Sequence, residues 1–216
     1  MPFHVTLRNM KEATPDGAVR RSYRMQARQD AVASTRERIL SAAYAQWSQR
    51  SYDQVSLQSI ADAAGVTRQT VSRQFGTKDE LALAVVDWQK PREDSLRATE
   101  PGDVDGAITR LVDRYEEMGD ANVRVLELEG RVPAIDYLLE VSRAGHREWI
   151  ERTLLAGTQT GERDELVPAL YAATDVMVWK LLRRDLKQSR DATLATIRRL
   201  VYGVLSGAAE NKGEMT

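Results

Sequence analysis

The sequence of 216 residues contains no cysteine and only two histidines. A chain without cysteine forms neither a disulfide framework nor a thiolate metal site, and we therefore expect it in a reducing cytoplasm. Histidine is the most frequent general acid or base and a common metal ligand, so its scarcity argues against both kinds of site. The sequence also lacks H-E-x-x-H, G-x-S-x-G and a phosphate-binding glycine loop. We therefore predict no enzyme activity, no metal site and no cofactor.

Long apolar runs are missing as well. No stretch approaches the roughly 20 apolar residues that cross a bilayer, and the N-terminal MPFHVTLRNMK lacks the apolar core of a signal peptide. We therefore expect no membrane partner. With 42% apolar and 29% charged residues, the composition is that of an ordinary globular protein long enough to bury a core.

The whole chain has no large excess of positive or negative charge, but its two parts do. The net charge is −1. Residues 1–80 hold 12 basic and 8 acidic residues, a net charge of +4, whereas residues 81–216 hold 19 and 24, a net charge of −5. A basic N-terminal third on an acidic body is typical of a small DNA-reading module attached to a partner domain.

The most informative stretch is Ser56–Phe75, with the sequence SLQSIADAAGVTRQTVSRQF. Apolar residues recur at helical spacing between residues 57 and 64, and Ser56 is a typical N-cap. Gly65 follows, and glycine readily adopts the positive φ that ends a helix. Thr67 is in position to cap a second short helix. The pattern predicts two helices joined by a tight turn.

The second of these helices has an apolar underside, Val71 and Phe75, and a polar outer face. Arginine pairs with guanine edges, glutamine with adenine, and serine or threonine with bases or phosphates. Such a face suits the major groove of DNA, although an ordinary helical hairpin with a solvated face has the same pattern. The residues predicted to lie outward are Arg68, Gln69, Thr70, Ser72, Arg73 and Gln74.

The flanking sequence supplies further helix boundaries. Residues 1–33 have weak apolar periodicity and a basic run, which indicates a flexible arm that is either solvated or in contact with DNA. We expect coil at residues 15–17. Ser34 and Glu37 form a capping-box pattern that predicts the start of the first helix, and Thr77 and Glu80 repeat that pattern before a helix that runs to Pro91.

Residues 34–90 as a whole resemble the N-terminal domain of the TetR family (TetR/AcrR type) of bacterial transcription repressors. The matching features are the T-R-x-x-I-L-x-A-A opening, the aromatic Trp47, the R-x-Y-D turn, the I-A-x-x-A-G-V-[ST] elbow, Thr70, Phe75 and the K-[DE]-x-L start of the next helix. The resemblance implies a helix-turn-helix DNA-binding domain over residues 34–80.

The sequence departs from the family pattern at two places. Ser51 stands where the family usually has glycine. Ser72, Arg73 and Gln74 stand where the family usually has a tyrosine followed by histidine or tyrosine. Because Ser72 is too short to make the family's tyrosine–phosphate contact, the operator sequence of a relative does not carry over to this chain.

The resemblance also implies roles for individual residues. Candidates for phosphate contacts are Arg36, Ser56, Gln58, Thr67 and Lys78, some of them at helix N-termini, which favour anions. Candidates for base edges or further backbone contacts are Arg68, Gln69, Thr70, Arg73 and Gln74, with Ser72 between them.

Residues 81–216 show amphipathic helical patterns and no strand alternation. We predict an all-α fold, with a three-helix helix-turn-helix domain followed by a helical ligand-binding and dimerisation domain over 81–216. The pattern predicts a helix broken at Gly119, a long helix opened by Pro133, a single helix over 162–188, and a last helix capped by Asp191.

Apolar residues mark more than one side of the last two helices. In the TetR family this pair forms a four-helix bundle with a second subunit, and we expect a homodimer on an inverted-repeat operator in double-stranded DNA. A single-chain bundle that buries both seams is the alternative. The expected ligand pocket is lined by aromatic residues, which could equally be core packing: Trp88, Tyr115, Tyr137, His146, Trp149 and Trp179, with Arg152 or Asp175 as polar anchors.

We therefore interpret the sequence as that of a transcriptional regulator. The resemblance implies a repressor that leaves its operator when an unknown small-molecule effector binds the C-terminal domain. Effector binding would change the spacing of the two DNA-binding domains through the helix that begins at Lys78. The alternative is a DNA-binding regulator whose C-terminal domain is controlled by a protein partner.

Overall fold

The computed structural model describes residues 16–158 and 160–214, and these residues are helical apart from short connections, with no strand among them. The all-α prediction is therefore confirmed. The helices are α1 Asp16–Gln49, α2 Leu57–Ala64, α3 Arg68–Phe75, α4 Lys78–Leu96, α5 Val104–Leu126, α6 Pro133–Trp149, α7 Thr160–Thr174, α8 Val176–Lys180 and α9 Arg190–Glu214. A 3-10 turn, Tyr52–Gln54, precedes α2, and single π-helical turns extend α6 and α8 at Ile150–Leu154 and Leu181–Asp185.

The chain divides into two compact units, residues 1–38 and residues 39–216. The first unit contains the described part of α1 up to Arg38. The second contains the rest of α1 and all later helices. The predicted domain boundary near residue 80 stays a prediction. α4 runs through this position without interruption.

The second unit contains two hydrophobic clusters. The N-terminal cluster joins the end of α1 to α2, α3 and the first half of α4, through Ile39, Leu40, Ala43, Val55, Ile60, Ala61, Ala64, Val71, Phe75, Leu81 and Val85. The C-terminal cluster joins α5 to the later helices around the fully buried ring of Trp179. Each cluster removes a continuous apolar surface from water, which is the main source of stability for an amphipathic helix.

The first helix begins at Asp16, so the prediction that it starts at Ser34 and that residues 16 and 17 are coil is wrong. The Ser34–Glu37 pattern lies inside a continuous helix, where Thr35 Oγ1 donates to the carbonyl of Ala31 over 2.8 Å. No glycine or proline interrupts residues 18–49, and the sequence is rich in good helix formers. The part of the expected arm over residues 1–15 lies outside the described residues.

Gly119 does not break α5, contrary to the prediction. It is buried inside the helix, and a Cβ atom there would lie 2.2 Å from Cζ3 of Trp179. The glycine therefore serves close packing between α5 and α8. Pro91 likewise does not end α4, which continues to Leu96; the hydrogen bond that proline removes falls on an exposed part of the helix.

The single helix predicted over residues 162–188 is in fact two helices. α7 ends at Thr174, and Asp175 Oδ1 accepts from the backbone N–H of Met177 over 2.8 Å to begin α8. Asp191 is not the cap of the last helix either. Ser189 Oγ accepts from the backbone N–H of Ala192 over 3.1 Å, so Ser189 takes that role.

Candidate nucleic-acid interface and effector region

The two short helices α2 and α3 have the predicted caps. Ser56 Oγ accepts from the Ser59 backbone N–H at 3.0 Å, and Ser59 Oγ accepts in return from Ser56 at 3.2 Å. Gly65 ends α2 in the left-handed conformation, with φ 64° and ψ 40°. Thr67 Oγ1 then accepts from the Thr70 backbone N–H at 3.2 Å to start α3. Every turn of the hairpin is thus fixed by local chemistry.

α3 rests on Val71 and Phe75, which are buried in the N-terminal cluster. Its outer face presents four exposed polar side chains, those of Arg68, Gln69, Ser72 and Arg73. This combination of buried underside and hydrogen-bonding outer face is what a major-groove helix needs.

Two residues predicted to lie outward on α3 are only partly exposed. The Thr70 hydroxyl lies 2.9 Å from the Thr67 hydroxyl, so it is part of the helix cap. Gln74 is half-buried, and its Oε1 is shielded from solvent without a hydrogen-bond partner among the described residues. The four exposed residues of α3 are therefore the ones best placed to reach another molecule.

The candidates for phosphate contacts differ in their present partners. Ser56, Gln58 and Thr67 are exposed, but the Gln58 amide donates to Asp62 over 2.7 Å. Lys78 is half-buried, with Nζ 4.1 Å from the ring centroid of Tyr52. Arg36 is exposed on α1.

The start of α4 is closed by its own side chains. Thr77 and Glu80 form the predicted capping box, in which the Glu80 carboxylate accepts from the Thr77 backbone N–H over 2.7 Å. That hydrogen bond lowers the pKa of Glu80. Burial lowers the pKa of Lys78, although Asp53 and Asp79 act in the opposite direction.

A positioning residue that the sequence analysis missed is Gln46 of α1. Its Nε2 donates to the Ser59 carbonyl over 2.8 Å, and its Oε1 accepts from the Ser59 hydroxyl over 3.0 Å. Gln46 thereby anchors the first turn of α2. No sequence signal identifies it, because a glutamine in a polar helix is usually solvated.

The predicted pocket residues do not all come together. Trp88 packs against the N-terminal cluster, with its ring 6.3 Å from that of Tyr44 in an edge-on contact. Tyr137 is 48% exposed, and Arg152 is exposed beside an open cavity of about 410 Å³ that also includes Glu148, Glu151 and Arg163. Asp175 is the cap of α8.

Tyr115 and Trp179 are core residues with their polar atoms satisfied. The Tyr115 hydroxyl donates to the Thr174 carbonyl over 2.9 Å, and burial raises its pKa. The Trp179 indole donates to Glu116 over 2.8 Å, and Glu116 also pairs with Arg183 at 2.7 Å.

His146 and Trp149 share a buried polar cluster with Arg97, a residue that the sequence analysis did not single out. His146 stacks on Trp149 at 5.3 Å and meets the Tyr171 ring edge-on at 4.7 Å. Arg97 lies over the Trp149 ring, with Cζ 4.6 Å from the centroid. Burial, followed by the charge of Arg97, lowers the pKa of His146 to about 3. His146 is therefore neutral at physiological pH.

Within the described residues there is neither a membrane-spanning helix nor a cluster of metal ligands. No helix there is both long enough and apolar enough to span a membrane. In the same part of the chain, no group of three or more histidines or carboxylates is placed to hold a metal ion.

Comparison with known proteins identifies the domain. Residues 39–85 match the family model described as bacterial regulatory proteins, tetR family. No curated protein matches the sequence. The fold is similar to that of a tetR-family transcriptional regulator from Streptomyces coelicolor, with TM-score 0.67, 20% identity and 84% of each chain covered. It is also similar to a transcriptional regulator from Rhodococcus sp. Rha1, with TM-score 0.58, 18% identity, and 80% of this chain and 96% of that one covered.

A third similar structure is the fatty acid degradation regulator FadR from Bacillus halodurans, with TM-score 0.55 and 18% identity, over 77% of this chain and 93% of that one. At these identities the solved structures show the fold. The family match and these neighbours are transcription regulators rather than enzymes, as predicted. Residues 39–85 thus match the tetR family of bacterial regulatory proteins, and the all-α fold is similar to that of solved transcriptional regulators.

Proposed function

We propose that the protein is a repressor that binds an inverted-repeat operator as a homodimer and is released by a small molecule bound among its C-terminal helices. The observation that carries this proposal is α3, a capped helix with a buried underside and four exposed hydrogen-bonding side chains. Arg73 and Arg68 are the residues on this face that can make bidentate contacts with guanine. The domain limits 34–80 and 81–216 and a cytoplasmic location are part of the proposal.

The contacts with phosphates are assigned to the exposed ends of the short helices. Ser56 and Thr67 stand at the N-termini of α2 and α3, where backbone amides and the helix dipole favour anions. Arg36 and Lys78 would add positive charge. Gln58 would have to exchange its hydrogen bond with Asp62 for one with a phosphate oxygen. Such contacts fix the register of the protein on DNA without reading sequence.

The homodimer is proposed from apolar side chains that remain exposed near the end of the chain. Met177, Leu181 and Leu186 belong to α8 and the segment after it, and Leu200 and Tyr202 belong to α9; all five are between 42% and 58% exposed. Large apolar side chains concentrated on two neighbouring elements favour a protein interface. A two-fold dimer would present two copies of α3 to two half-sites.

Coupling between effector and DNA is proposed through α4 and α5. α4 begins beside the helix-turn-helix at Lys78 and ends in the C-terminal helices. Near its end, Glu93 accepts from Arg114 Nε at 2.7 Å and 2.9 Å, and Arg114 also donates to the Tyr44 hydroxyl of α1 at 3.0 Å. A ligand that displaces either helix would therefore move α1 and weaken DNA binding. Because such coupling is reciprocal, bound DNA would weaken ligand binding by the same factor.

The test is a gel-shift titration of the full chain against DNA upstream of its own gene and of neighbouring genes. The expected result is a shifted complex that survives excess unrelated DNA, because base contacts add to the phosphate contacts. Loss of the shifted complex when an equal mass of unrelated DNA is added would contradict a sequence-specific regulator. A complex that no small molecule dissociates but a cellular protein does would favour a protein partner.

A further inference from the structure

The guanidinium of Arg97 is a buried cation without a counter-ion among the described residues. The residue is only partly exposed, and its Nε is fully shielded from solvent with no hydrogen-bond partner. No described carboxylate lies within 4.0 Å of it, and its described hydrogen bond joins Nη2 to Nδ1 of His146 at 2.9 Å. Buried charges are normally paired, so an unpaired buried arginine indicates a missing anion.

The carboxylates nearest in sequence are already engaged elsewhere. Glu93 pairs with Arg114 at 2.7 Å, and Asp94 pairs with Lys90 at 3.0 Å. Burial lowers the pKa of Arg97, as expected for a cation that lacks compensating charge. The guanidinium nevertheless stays charged, because arginine is not deprotonated in proteins.

His146 cannot supply the missing charge. A guanidinium can only donate, so Nδ1 of His146 accepts from Arg97, and Nε2–H then donates to the Thr174 hydroxyl at 2.9 Å. The Thr174 hydroxyl in turn donates to the Leu170 carbonyl at 2.7 Å. This chain of hydrogen bonds is complete with a neutral imidazole and fixes the orientation of Arg97.

Two more polar groups beside Arg97 are shielded from solvent without a partner among the described residues. They are the indole Nε1 of Trp149, whose ring lies under the guanidinium, and the hydroxyl of Thr99, two residues after Arg97. The indole Nε1 of Trp149 and Nε of Arg97, whose side chains are in contact, offer two donors to acceptor atoms. A carboxylate, with two oxygens and about four acceptor positions, matches this set.

An open cleft of about 520 Å³ lies between α6 and α7. It is lined by Arg143, Ala144, Arg147, Pro168 and Tyr171. Tyr171 lines this cleft, and its ring meets the buried His146 edge-on. Arg147 is exposed and has no ion pair among the described residues, whereas Arg143 is paired with Glu129. The cleft thus carries cationic side chains with apolar surface beside them.

We propose that the effector is an organic anion, a carboxylate with an apolar body, whose carboxylate binds Arg97 and the Trp149 indole after entering from the α6–α7 cleft. This inference rests on the proposed effector control and names the chemical class of the effector. The anion would compensate the charge of Arg97 at the end of α4. Because Glu93 is one turn earlier on the same helix, binding would act directly on the contact between Glu93 and Arg114.

The test is the thermal stability and calorimetric affinity of the full chain with sodium alkanoates from acetate to octanoate and with benzoate. Each acid is compared with its neutral amide, and sodium sulfate serves as the inorganic anion. We expect at least one carboxylate to raise the unfolding temperature, its amide and sulfate to have little effect, and affinity to rise with the apolar body. Stabilisation by sulfate equal to that by every carboxylate, or no stabilisation by any carboxylate, would overturn the proposal.

The variants assign the effect to the cluster. Arg97→Gln should weaken the bound carboxylate about tenfold or more, since a hydrogen-bonded charge is lost, whereas Arg92→Gln, an exposed arginine on the same helix, should leave affinity unchanged. If Arg97→Gln does not fold by circular dichroism, Trp149→Phe, which keeps the ring under the guanidinium, should weaken binding several-fold. Equal affinity in wild type and in the folded variant would contradict the assignment. DNA binding without added anion is measured separately, so its failure would count against the proposed function and not against this site.

Discussion

Arg114 donates a hydrogen bond to the hydroxyl of Tyr44 over 3.0 Å, although 70 residues separate them in the chain. Tyr44 lies on the last turns of α1, behind the helix-turn-helix, while Arg114 belongs to α5 among the C-terminal helices. The same arginine holds Glu93 of α4. One side chain therefore connects α1, α4 and α5, the three helices on which the proposed coupling depends.

Tyr44→Phe tests this connection. The substitution removes the hydroxyl and keeps the ring packed against Trp88, so we expect a loss of about 1 kcal/mol in the free energy of unfolding and almost no change in unliganded DNA affinity. A double-mutant cycle with Arg114→Met, measured by urea unfolding, should give a coupling energy of about 1 kcal/mol. Strictly additive effects of the two substitutions would show that the hydrogen bond contributes nothing.

Gly119→Ala tests the close contact between α5 and α8. A Cβ atom at this position would lie 2.2 Å from Cζ3 of Trp179, so the ring or the helix must shift. We expect a destabilisation of about 1–3 kcal/mol, which is typical of overpacking. The matched control is Gly145→Ala in α6, where no atom lies within 4 Å of the new Cβ. That substitution should stabilise by about 0.5–1 kcal/mol. Urea denaturation of both variants measures the difference, and equal effects would disprove the contact.

The pH dependence of stability tests the neutral state of His146. Its pKa is lowered to about 3 in the folded protein, below the ordinary value of about 6.5. Below about pH 6.5 the unfolded chain binds a proton that the folded chain does not, so stability falls as the pH falls towards 3. We expect a loss of about 2 kcal/mol between pH 8 and pH 5, measured by urea unfolding at each pH.

The control for this prediction is His146→Gln, which should show a much flatter profile over the same range. Carboxylates with lowered pKa values, such as Glu116 and Asp120, contribute only at lower pH, where the unfolded chain begins to protonate them. A profile for His146→Gln that parallels the wild type between pH 8 and pH 5 would assign the slope to other groups.

Arg73→Ala tests the outer face of α3. If Arg73 reads a guanine, we expect the affinity for the operator to fall by about 1–3 kcal/mol, with relaxed preference at one base pair. Fluorescence anisotropy on the operator and on single-base variants measures both effects. Arg110→Ala, an exposed arginine of α5, is the control and should bind DNA as the wild type does. Unchanged affinity of Arg73→Ala would remove this residue from the interface.

The dimer is tested by charging two exposed apolar positions. Leu181 and Leu200 are 48% and 43% exposed, so Leu181→Glu with Leu200→Glu should leave the fold of one chain intact. We expect this variant to sediment as a monomer at micromolar concentration, where the wild type sediments as a dimer, and to lose most of its operator affinity. Leu96→Glu, at a leucine of α4 that is 41% exposed, is the control. A monomeric wild type would refute the dimer.

Local patterns in the sequence predicted the features that depend on a few neighbouring residues. Ser56, Gly65 and Thr77 act as expected because caps and left-handed turns are formed by the residues beside them. Pro133 opens α6 for the same reason. The prediction failed where a residue type has two uses. A glycine in a helical pattern predicts a break, but Gly119 packs against the Trp179 ring 60 residues later, and no local pattern shows this contact.

The candidate effector site could be predicted only in part. Aromatic residues in the C-terminal helices drew attention to His146 and Trp149, which do lie together. Arg97 was missed because it ends a charged stretch, KPREDSLR, that is typical of a solvated helix face. Its burial results from packing against α6, about 50 residues further along the chain. A ligand role for Trp88 stays a prediction, and its ring packs against the N-terminal cluster.

The most direct test of the central claim, sequence-specific DNA binding by a dimer, is a footprinting titration of the full chain on the DNA upstream of its own gene. A dimeric regulator should protect an inverted repeat with two half-sites about one helical turn apart or a multiple of that spacing. Half-saturation should occur at a concentration where unrelated DNA of the same length is not protected. Absence of any protected region there and upstream of the neighbouring genes, or equal protection of all sequences, would contradict it.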